Sequence, residues 1–181
     1  MKGLFKSIAT LSAISAVAIA PIFLSANKAY SQPVQTTRGT DANYIGAGAA
    51  AGVTNGGQDG DAATFGGNIQ GRYAVRRAPV SVRGSVLFSD ETSAIIPMVS
   101  YDVPVARNTN LYVGAGYSFV ESDGKPTPLG NSDAPVVAVG GETQVGQNII
   151  IYGDTKLGIE AYEDSPASAV SVQLGAGYRF K

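Results

Sequence analysis

The 181-residue sequence contains no cysteine, histidine or tryptophan, and only 15% of its residues are charged. Without cysteine there can be no disulfide, thiolate metal site, iron–sulfur cluster or thiol nucleophile. Without histidine the commonest metal ligand and the commonest general base are missing. The sequence contains 13 basic and 14 acidic residues, so it has no excess of basic charge that would indicate nucleic-acid binding. We therefore expect no cofactor, no metal and no nucleic-acid partner.

Residues 1–31 have the pattern of a secretory signal peptide. Lys2 and Lys6 form a basic start, and an uncharged, mostly apolar run follows over residues 8–24. Small residues at positions 29 and 31 predict cleavage before Gln32, with cleavage after Ala29 as the alternative. Removal of this segment takes away three lysines and leaves 10 basic and 14 acidic residues, a net charge of −4. The mature protein is therefore expected to be exported and mildly acidic.

Apolar and polar residues alternate along the mature chain. In the last strand six apolar residues share one face, and the other face carries none: Val170, Val172, Leu174, Ala176, Tyr178 and Phe180. This period of two is typical of a β-strand with two unlike faces. The segment 112–119, YVGAGYSF, repeats the pattern of 173–180, QLGAGYRF, and IGAG at 45–48 is a third, partial copy. The copies indicate one strand unit used repeatedly.

This periodicity predicts an all-β chain of eight strands, and no helical period follows residue 32. We place the strands near 44–53, 64–75, 79–88, 94–103, 110–120, 135–145, 148–161 and 169–181. More than half of the mature chain would then be strand, far above the usual content, and a closed antiparallel barrel accounts for the excess. Gly46 and Gly48 are not expected to bind a dinucleotide, because no helix follows them.

Eight charged residues fall on the strand face opposite the aliphatic residues. They are Arg72, Arg83, Asp102, Glu142, Asp154, Lys156, Glu160 and Arg179. Four are acidic and four basic, so enclosure in a barrel lumen would let them pair. Exposed to water, the same residues would be the ordinary surface of a soluble barrel.

Pro97 falls in the middle of its predicted strand, on the aliphatic face. We expect a bulge or a local loss of pairing there.

The connections between strands are long and short in alternation. Those near 54–63, 121–134 and 162–168 are long, and those at 76–78, 104–109 and 146–147 are generally tighter, with a shorter external loop at 89–93. Outer-membrane barrels combine long external loops with short periplasmic turns. The loops on the long side carry nine acidic residues against Lys125: Asp59, Asp61, Asp90, Glu91, Glu121, Asp123, Asp133, Glu163 and Asp164.

Outward aromatic residues are expected at two levels. Phe65, Phe88, Tyr117 and Phe119 fall at external strand ends, and Tyr73, Tyr101, Tyr178 and Phe180 fall at periplasmic ends. Two aromatic girdles are typical of a barrel that crosses a bilayer. We therefore favour a transmembrane barrel over a soluble, lipocalin-like periplasmic binding protein.

At this point the chain resembles the small eight-stranded outer-membrane barrels of the OmpA/OmpX type, including opacity-like and other porin-family outer-membrane proteins. The ending Leu174-Gly-Ala-Gly-Tyr-Arg-Phe180 carries the resemblance, although Lys181 follows the aromatic residue that normally ends such chains. The resemblance implies a cleaved signal peptide at 1–31, a short periplasmic segment at 32–43 and a barrel at 44–181. It also implies outer-membrane lipid, the barrel-assembly machinery and an unidentified surface ligand as partners.

The expected function is structural or surface interaction, with a lumen filled by side chains. A narrow pore for ions or small solutes is the alternative. An enzyme is less favoured because small outer-membrane barrel enzymes commonly use histidine. The carboxylates of Asp154 and Glu160 are the remaining candidates for acid–base chemistry, and a structural network is the preferred interpretation for them.

Overall fold

The computed structural model describes residues 38–54 and 64–180 and contains eight antiparallel strands closed into one barrel. The strands are β1 (Asn43–Gly52), β2 (Phe65–Ala74), β3 (Val80–Phe88), β4 (Ser93–Ala106), β5 (Thr109–Val120), β6 (Ala134–Val145), β7 (Ile149–Gly158) and β8 (Ala169–Phe180). Each strand pairs with its sequence neighbours, and β1 closes the barrel against β8. None of the described residues forms a helix long and apolar enough to cross a membrane.

The predicted all-β, eight-stranded closed barrel is confirmed. Six strands begin and end within about one residue of the predicted bounds. The alternation of apolar and polar residues marks the length of each strand, and polar residues of the following connection mark its end. Two strands differ more. β4 continues to Ala106, past a register shift between Pro104 and Ala106. β7 ends at Gly158, three residues before its predicted end. The predicted signal peptide and most of the 54–63 loop lie outside the described residues.

The irregularity expected at Pro97 is a local loss of pairing without a bulge. Pro97 pairs with Gly84 of β3, whereas the β4–β5 register passes from Ile95 to Met98 without partners for the two residues between. The register on either side is the same, so no residue is inserted. Proline has no amide hydrogen to donate to the neighbouring strand, which explains why the β4–β5 ladder is interrupted at this point.

The two ends of the barrel differ in the length of their connections. At one end, the short-turn end, residues 75–79, 107–108 and 146–148 connect the strands. At the other, the long-loop end, the connections are 53–64, 89–92, 121–133 and 159–168. Residues 38–42 precede β1 at the short-turn end. There Arg38 accepts a backbone hydrogen bond from Asn108, and Thr40 and Ala42 are buried.

Candidate functional site in the barrel lumen

Four charged side chains form a closed ring in the lumen, which we call the charge ring. Its members are Arg72 on β2, Arg83 on β3, Asp102 on β4 and Glu142 on β6. Arg72 lies 2.8 Å from Asp102 and 3.0 Å from Glu142, and Arg83 lies 3.0 Å and 2.9 Å from the same two carboxylates. Each cation thus contacts both anions. The ring is neutral, and none of its side chains is more than 7% exposed.

Side chains of the barrel wall form further hydrogen bonds with the charged groups of the ring. Serine hydroxyls bridge its members: Ser81 accepts from Arg72 and donates to Asp102, and Ser100 does the same between Arg83 and Asp102. The buried phenol of Tyr44 donates to Glu142 over 3.1 Å. Charged groups in a dry interior are tolerated only with such complete pairing.

The segment before β1 also takes part in the network. The carbonyl oxygens of Thr40 and Ala42 accept hydrogen bonds of 3.2 and 3.1 Å from Arg72. Asn110 donates to the same Thr40 carbonyl and to Glu142. The chain entering β1 therefore helps to fill the lumen on the short-turn side of the ring.

A second charged group lies next to the ring. Lys156 donates to Asp154 over 2.7 Å, and both side chains are fully buried. Lys156 also donates to Gln173, and Tyr112 donates to Asp154 over 2.6 Å. The guanidinium carbon of Arg83 lies 3.6 Å from the centre of the Tyr112 ring, so this tyrosine links the charge ring to the Asp154–Lys156 pair.

The lumen at the long-loop end contains an apolar cluster, beside buried polar residues such as Ser118 and Ser171. Buried side chains from the strands and from two loops form one cluster: Ala50, Leu87, Ile96, Met98, Leu129, Ala134, Val136, Ala138, Ala161, Tyr162 and Ala169. Leu129 is completely buried, although it belongs to the cap loop, as we call residues 121–133. The cap loop thus folds back to insert a leucine into the barrel mouth.

Hydrogen bonds hold the cap loop across the mouth. Its Asn131 and Ser132 amides donate to the Ala161 carbonyl of the neighbouring 159–168 loop. Gly130 has φ +98°, and a Cβ there would lie 2.1 Å from the same carbonyl oxygen, so the close approach requires glycine. On the other side Ser89 of the β3–β4 turn donates to Pro126. The cap is therefore tied to two neighbouring connections.

Tyr162 fastens the 159–168 loop to the end of β1. Its hydroxyl donates to the Thr54 carbonyl and lies 2.9 Å from the Thr54 hydroxyl, which accepts from the Val170 amide. Burial raises the pKa of Tyr162, and the hydrogen bond with Thr54 acts in the opposite direction. The neutral phenol is therefore the form that fits the closed mouth.

The structure brings six of the eight predicted charged residues together inside the barrel: Arg72, Arg83, Asp102, Glu142, Asp154 and Lys156. Arg179 lies at the rim, where it donates to Gln144 over 3.1 Å and forms a longer, exposed contact with Asp41. The prediction that Glu160 lies in the lumen is wrong. It is exposed in the turn after β7 with φ +54°, because the strand ends at Gly158 and the chain turns to bury Ala161.

All eight predicted girdle residues face outward and are exposed. The long-loop end has Phe65, Phe88, Tyr117 and Phe119, and the short-turn end has Tyr73, Tyr101, Tyr178 and Phe180. Between these levels the outer wall is aliphatic, with Val99, Val113 and Val139 at least half exposed. In water such a wall would be a very large apolar patch, whereas in a bilayer it faces lipid.

The family follows from a sequence comparison. Residues 16–180 match the family model described as "Outer membrane protein beta-barrel domain". The chain belongs to this family. The predicted resemblance and the bacterial outer-membrane location are thereby confirmed. A comparison with curated protein sequences gives no match.

Solved structures of small barrels share the fold at low sequence identity. A designed transmembrane β-barrel matches with a TM-score of 0.54 and 13% identity over 78% of this chain and 98% of the design. Ail, the attachment invasion locus protein of Yersinia pestis, matches with 0.50 and 18% over 78% and 100%. The N-terminal barrel of OprF from Pseudomonas aeruginosa matches with 0.51 and 17% over 79% and 100%.

Sequence reasoning missed the apolar half of the lumen and its tyrosines. Leu129 lies in a loop without periodicity, so nothing in its neighbourhood marks it as buried. Tyr44 and Tyr152 stack inside the barrel with ring centres 5.7 Å apart. Tyr152 lies two residues before Asp154 on β7, so parity predicts that it points inward. Tyr44 lies opposite Arg72 and Arg179 on the neighbouring strands, a register that the sequence does not show. Within residues 38–54 and 64–180 no group of three or more acidic residues could hold a metal ion.

Proposed function

We propose that the protein is a closed outer-membrane barrel with a structural or surface-interaction role, its lumen blocked and its long loops displayed outside the cell. The observation that carries the proposal is the filling of the lumen by the charge ring, the Asp154–Lys156 pair and the apolar cluster. An eight-stranded barrel is just wide enough for side chains to fill. No route for solute is left through such a stack while its contacts hold.

The two halves of the lumen oppose permeation in different ways. An ion entering from the short-turn end meets arginines and carboxylates that already satisfy one another. Beyond them it meets the Asp154–Lys156 pair, whose charges are already engaged with each other, and the apolar cluster, whose side chains offer no ligand for an ion. The same arrangement disfavours the narrow-pore alternative, since both barriers must open together.

The long-loop end supports the surface role. It carries eight described acidic residues against Lys125: Asp90, Glu91, Glu121, Asp123, Asp133, Glu160, Glu163 and Asp164. The preferred interpretation is that this acidic surface keeps the protein soluble at the cell surface and repels like-charged neighbours. A ligand of the loops would have to bind this acidic surface. The cap loop forms part of that surface, and its hydrogen bonds hold it in one conformation.

A non-enzymatic role agrees with the position of the carboxylates. Asp154 is engaged by Lys156 and Tyr112 in the lumen, and Glu160 is exposed on the loop side. The two groups that could have shared acid–base chemistry therefore do not face one site. The buried carboxylates have the surroundings of structural ion pairs.

We propose that the protein is exported and inserted into the outer membrane in the way that is usual for this family. Residues 1–31 would direct export and be removed, and residues 32–43 would precede the barrel in the periplasm. The barrel-assembly machinery would then insert the barrel into outer-membrane lipid. This orientation puts the short-turn end in the periplasm and the long-loop end outside.

Single cysteines test the proposed surface display, since the chain has no native cysteine. Asp123→Cys lies on the cap loop, and Gln147→Cys lies on the exposed β6–β7 turn. We expect an impermeant thiol reagent to label Asp123→Cys on intact cells and Gln147→Cys only after the outer membrane is opened. Labelling of Gln147→Cys alone on intact cells would reverse the orientation and contradict the proposal.

A further inference from the structure

The short-turn end is strongly basic, in contrast with the acidic long-loop end. Its described charged residues outside the charge ring are five arginines and one aspartate: Arg38, Arg76, Arg77, Arg107, Arg179 and Asp41. Within the described part of the chain, Arg38, Arg76 and Arg77 take part in no salt bridge. These cations are thus available to an external anion.

Four of these arginines surround one cavity. A cavity of about 1260 Å³ opens at the short-turn end and is lined by Arg38, Arg76, Arg77 and Arg179. On the inner side its wall includes Asp41 and the charge-ring members Arg72 and Asp102, whose charges are already paired with each other. On the outer side it includes Tyr73, Val75 and Phe180, which are exposed on the lipid-facing surface of the barrel. The cavity therefore extends from the charge ring through the basic mouth to the apolar outer wall.

The turn between β2 and β3 offers a way to remove one of these side chains without disturbing the fold. Arg77 has φ +69°, a conformation that glycine adopts more readily than arginine. Glycine at this position therefore keeps the turn while it removes the guanidinium group.

We propose that this rim is a binding site for an anionic phospholipid. The phosphate would lie among Arg76, Arg77, Arg38 and Arg179, and an acyl chain would follow the outer wall past Tyr73 and Val75. Only an amphiphile uses both parts of the cavity, and negative charge on its headgroup complements the unpaired arginines. With the orientation proposed above, the lipid belongs to the inner, periplasmic leaflet, although binding itself does not depend on that orientation.

Titration of the purified protein in neutral detergent micelles tests the site. The probes are dioctanoyl phosphatidylglycerol, dioctanoyl phosphatidylcholine and glycerol phosphate, with bound ligand counted by native mass spectrometry. We expect phosphatidylglycerol to bind at least tenfold more tightly than either of the other probes. Equal binding of the two lipids would overturn the proposal. Equal binding of glycerol phosphate would show a site for soluble phosphate and would also overturn the lipid assignment.

Two variants with equal loss of charge locate the site. Each arginine near a lipid headgroup contributes about a fivefold gain in affinity. Arg76→Gln/Arg77→Gln should therefore weaken phosphatidylglycerol binding about 25-fold. The control Arg107→Gln/Lys125→Gln removes two cations that do not line the cavity and should change binding less than twofold. An equal loss in the control would show unspecific charge attraction and contradict the proposal.

Arg77→Gly separates binding from stability. Glycine relieves the backbone cost, so this variant should resist urea at least as well as the parent protein. It should nevertheless bind phosphatidylglycerol about fivefold more weakly. Unchanged binding in this folded variant would contradict a role for the Arg77 side chain, even if the double variant failed to fold.

Discussion

Arg72 and Arg83 lie directly opposite each other on β2 and β3, and two carboxylates hold these like charges together. Like charges in this cross-strand position are destabilising by themselves. Asp102 and Glu142 each contact both guanidinium groups at 2.8–3.0 Å, so every member of the charge ring has two partners of opposite charge. The four side chains therefore form one structural unit.

Neutralising one member of the ring should destabilise the barrel strongly. Arg83→Gln leaves Asp102 and Glu142 facing one cation, and breaking a buried pair costs about 3–5 kcal/mol. Urea unfolding in lipid vesicles, followed by the mobility of unboiled samples in electrophoresis, measures the change. The control Arg179→Gln breaks the exposed contact with Asp41 and the rim hydrogen bond with Gln144, and should cost about 1 kcal/mol or less. Equal losses in the two variants would contradict the charge ring as a stabilising unit.

The Asp154–Lys156 pair should show strong coupling. Lys156→Gln leaves the Asp154 carboxylate buried with Tyr112 as its remaining side-chain donor, and should cost about 3–5 kcal/mol. Asp154→Asn in the same chain removes the stranded charge and should recover much of that loss. The free energies of unfolding of both single variants and the double variant measure the coupling. Additive losses would mean that the pair is hydrated and its members act independently.

The cost of an arginine on the outer wall should depend on how deep in the bilayer the residue lies. Val139 lies near the middle of β6 and Val145 at its end, and both are more than half exposed. Arginine at the bilayer midplane costs about 2–4 kcal/mol, and near an interface about 0–1 kcal/mol. Val139→Arg should therefore fold into lipid vesicles much less efficiently than Val145→Arg. Equal folding yields would contradict the placement of this wall in the hydrocarbon.

The mouth should open in alkaline solution. Because burial raises the pKa of Tyr162, its contribution to stability is complete below the pKa of about 10 of an exposed tyrosine and is lost as pH rises through the raised value. Labelling of Leu129→Cys, relative to the exposed Asp123→Cys, should rise over this range. Tyr162→Phe should remove that rise, because it has no phenol to ionise. A rise of the same size in Tyr162→Phe would assign the opening to another group.

Strand number, closure and the face of most charges could be predicted from the sequence, because the period of two fixes parity along each strand. Parity places Arg72 and Glu142 inside without saying that they touch. Their contact depends on the stagger between β2 and β6 across the lumen, which local patterns do not encode. Parity also fails where a strand ends, and Glu160 was assigned to the lumen because the turn after Gly158 was not recognised.

The cap could not be predicted for a different reason. Leu129 is one apolar residue in a loop rich in glycine, proline and polar residues, and its burial results from contacts with Ala161 and the barrel mouth. Gly130 is a signal in retrospect, since its positive φ allows the close approach. A glycine in a loop has many uses, so that signal is not specific.

Single-channel recording in planar bilayers tests the closed lumen most directly. We expect no steady conductance for the parent protein, because the charge ring and the apolar cluster close the lumen at two levels. Leu129→Asp should open only the mouth and leave conductance low, whereas Leu129→Asp with Arg83→Gln, which also breaks the charge ring, should admit ions in brief or steady steps. A large, steady conductance of the unmutated protein would contradict the closed lumen and favour a narrow pore.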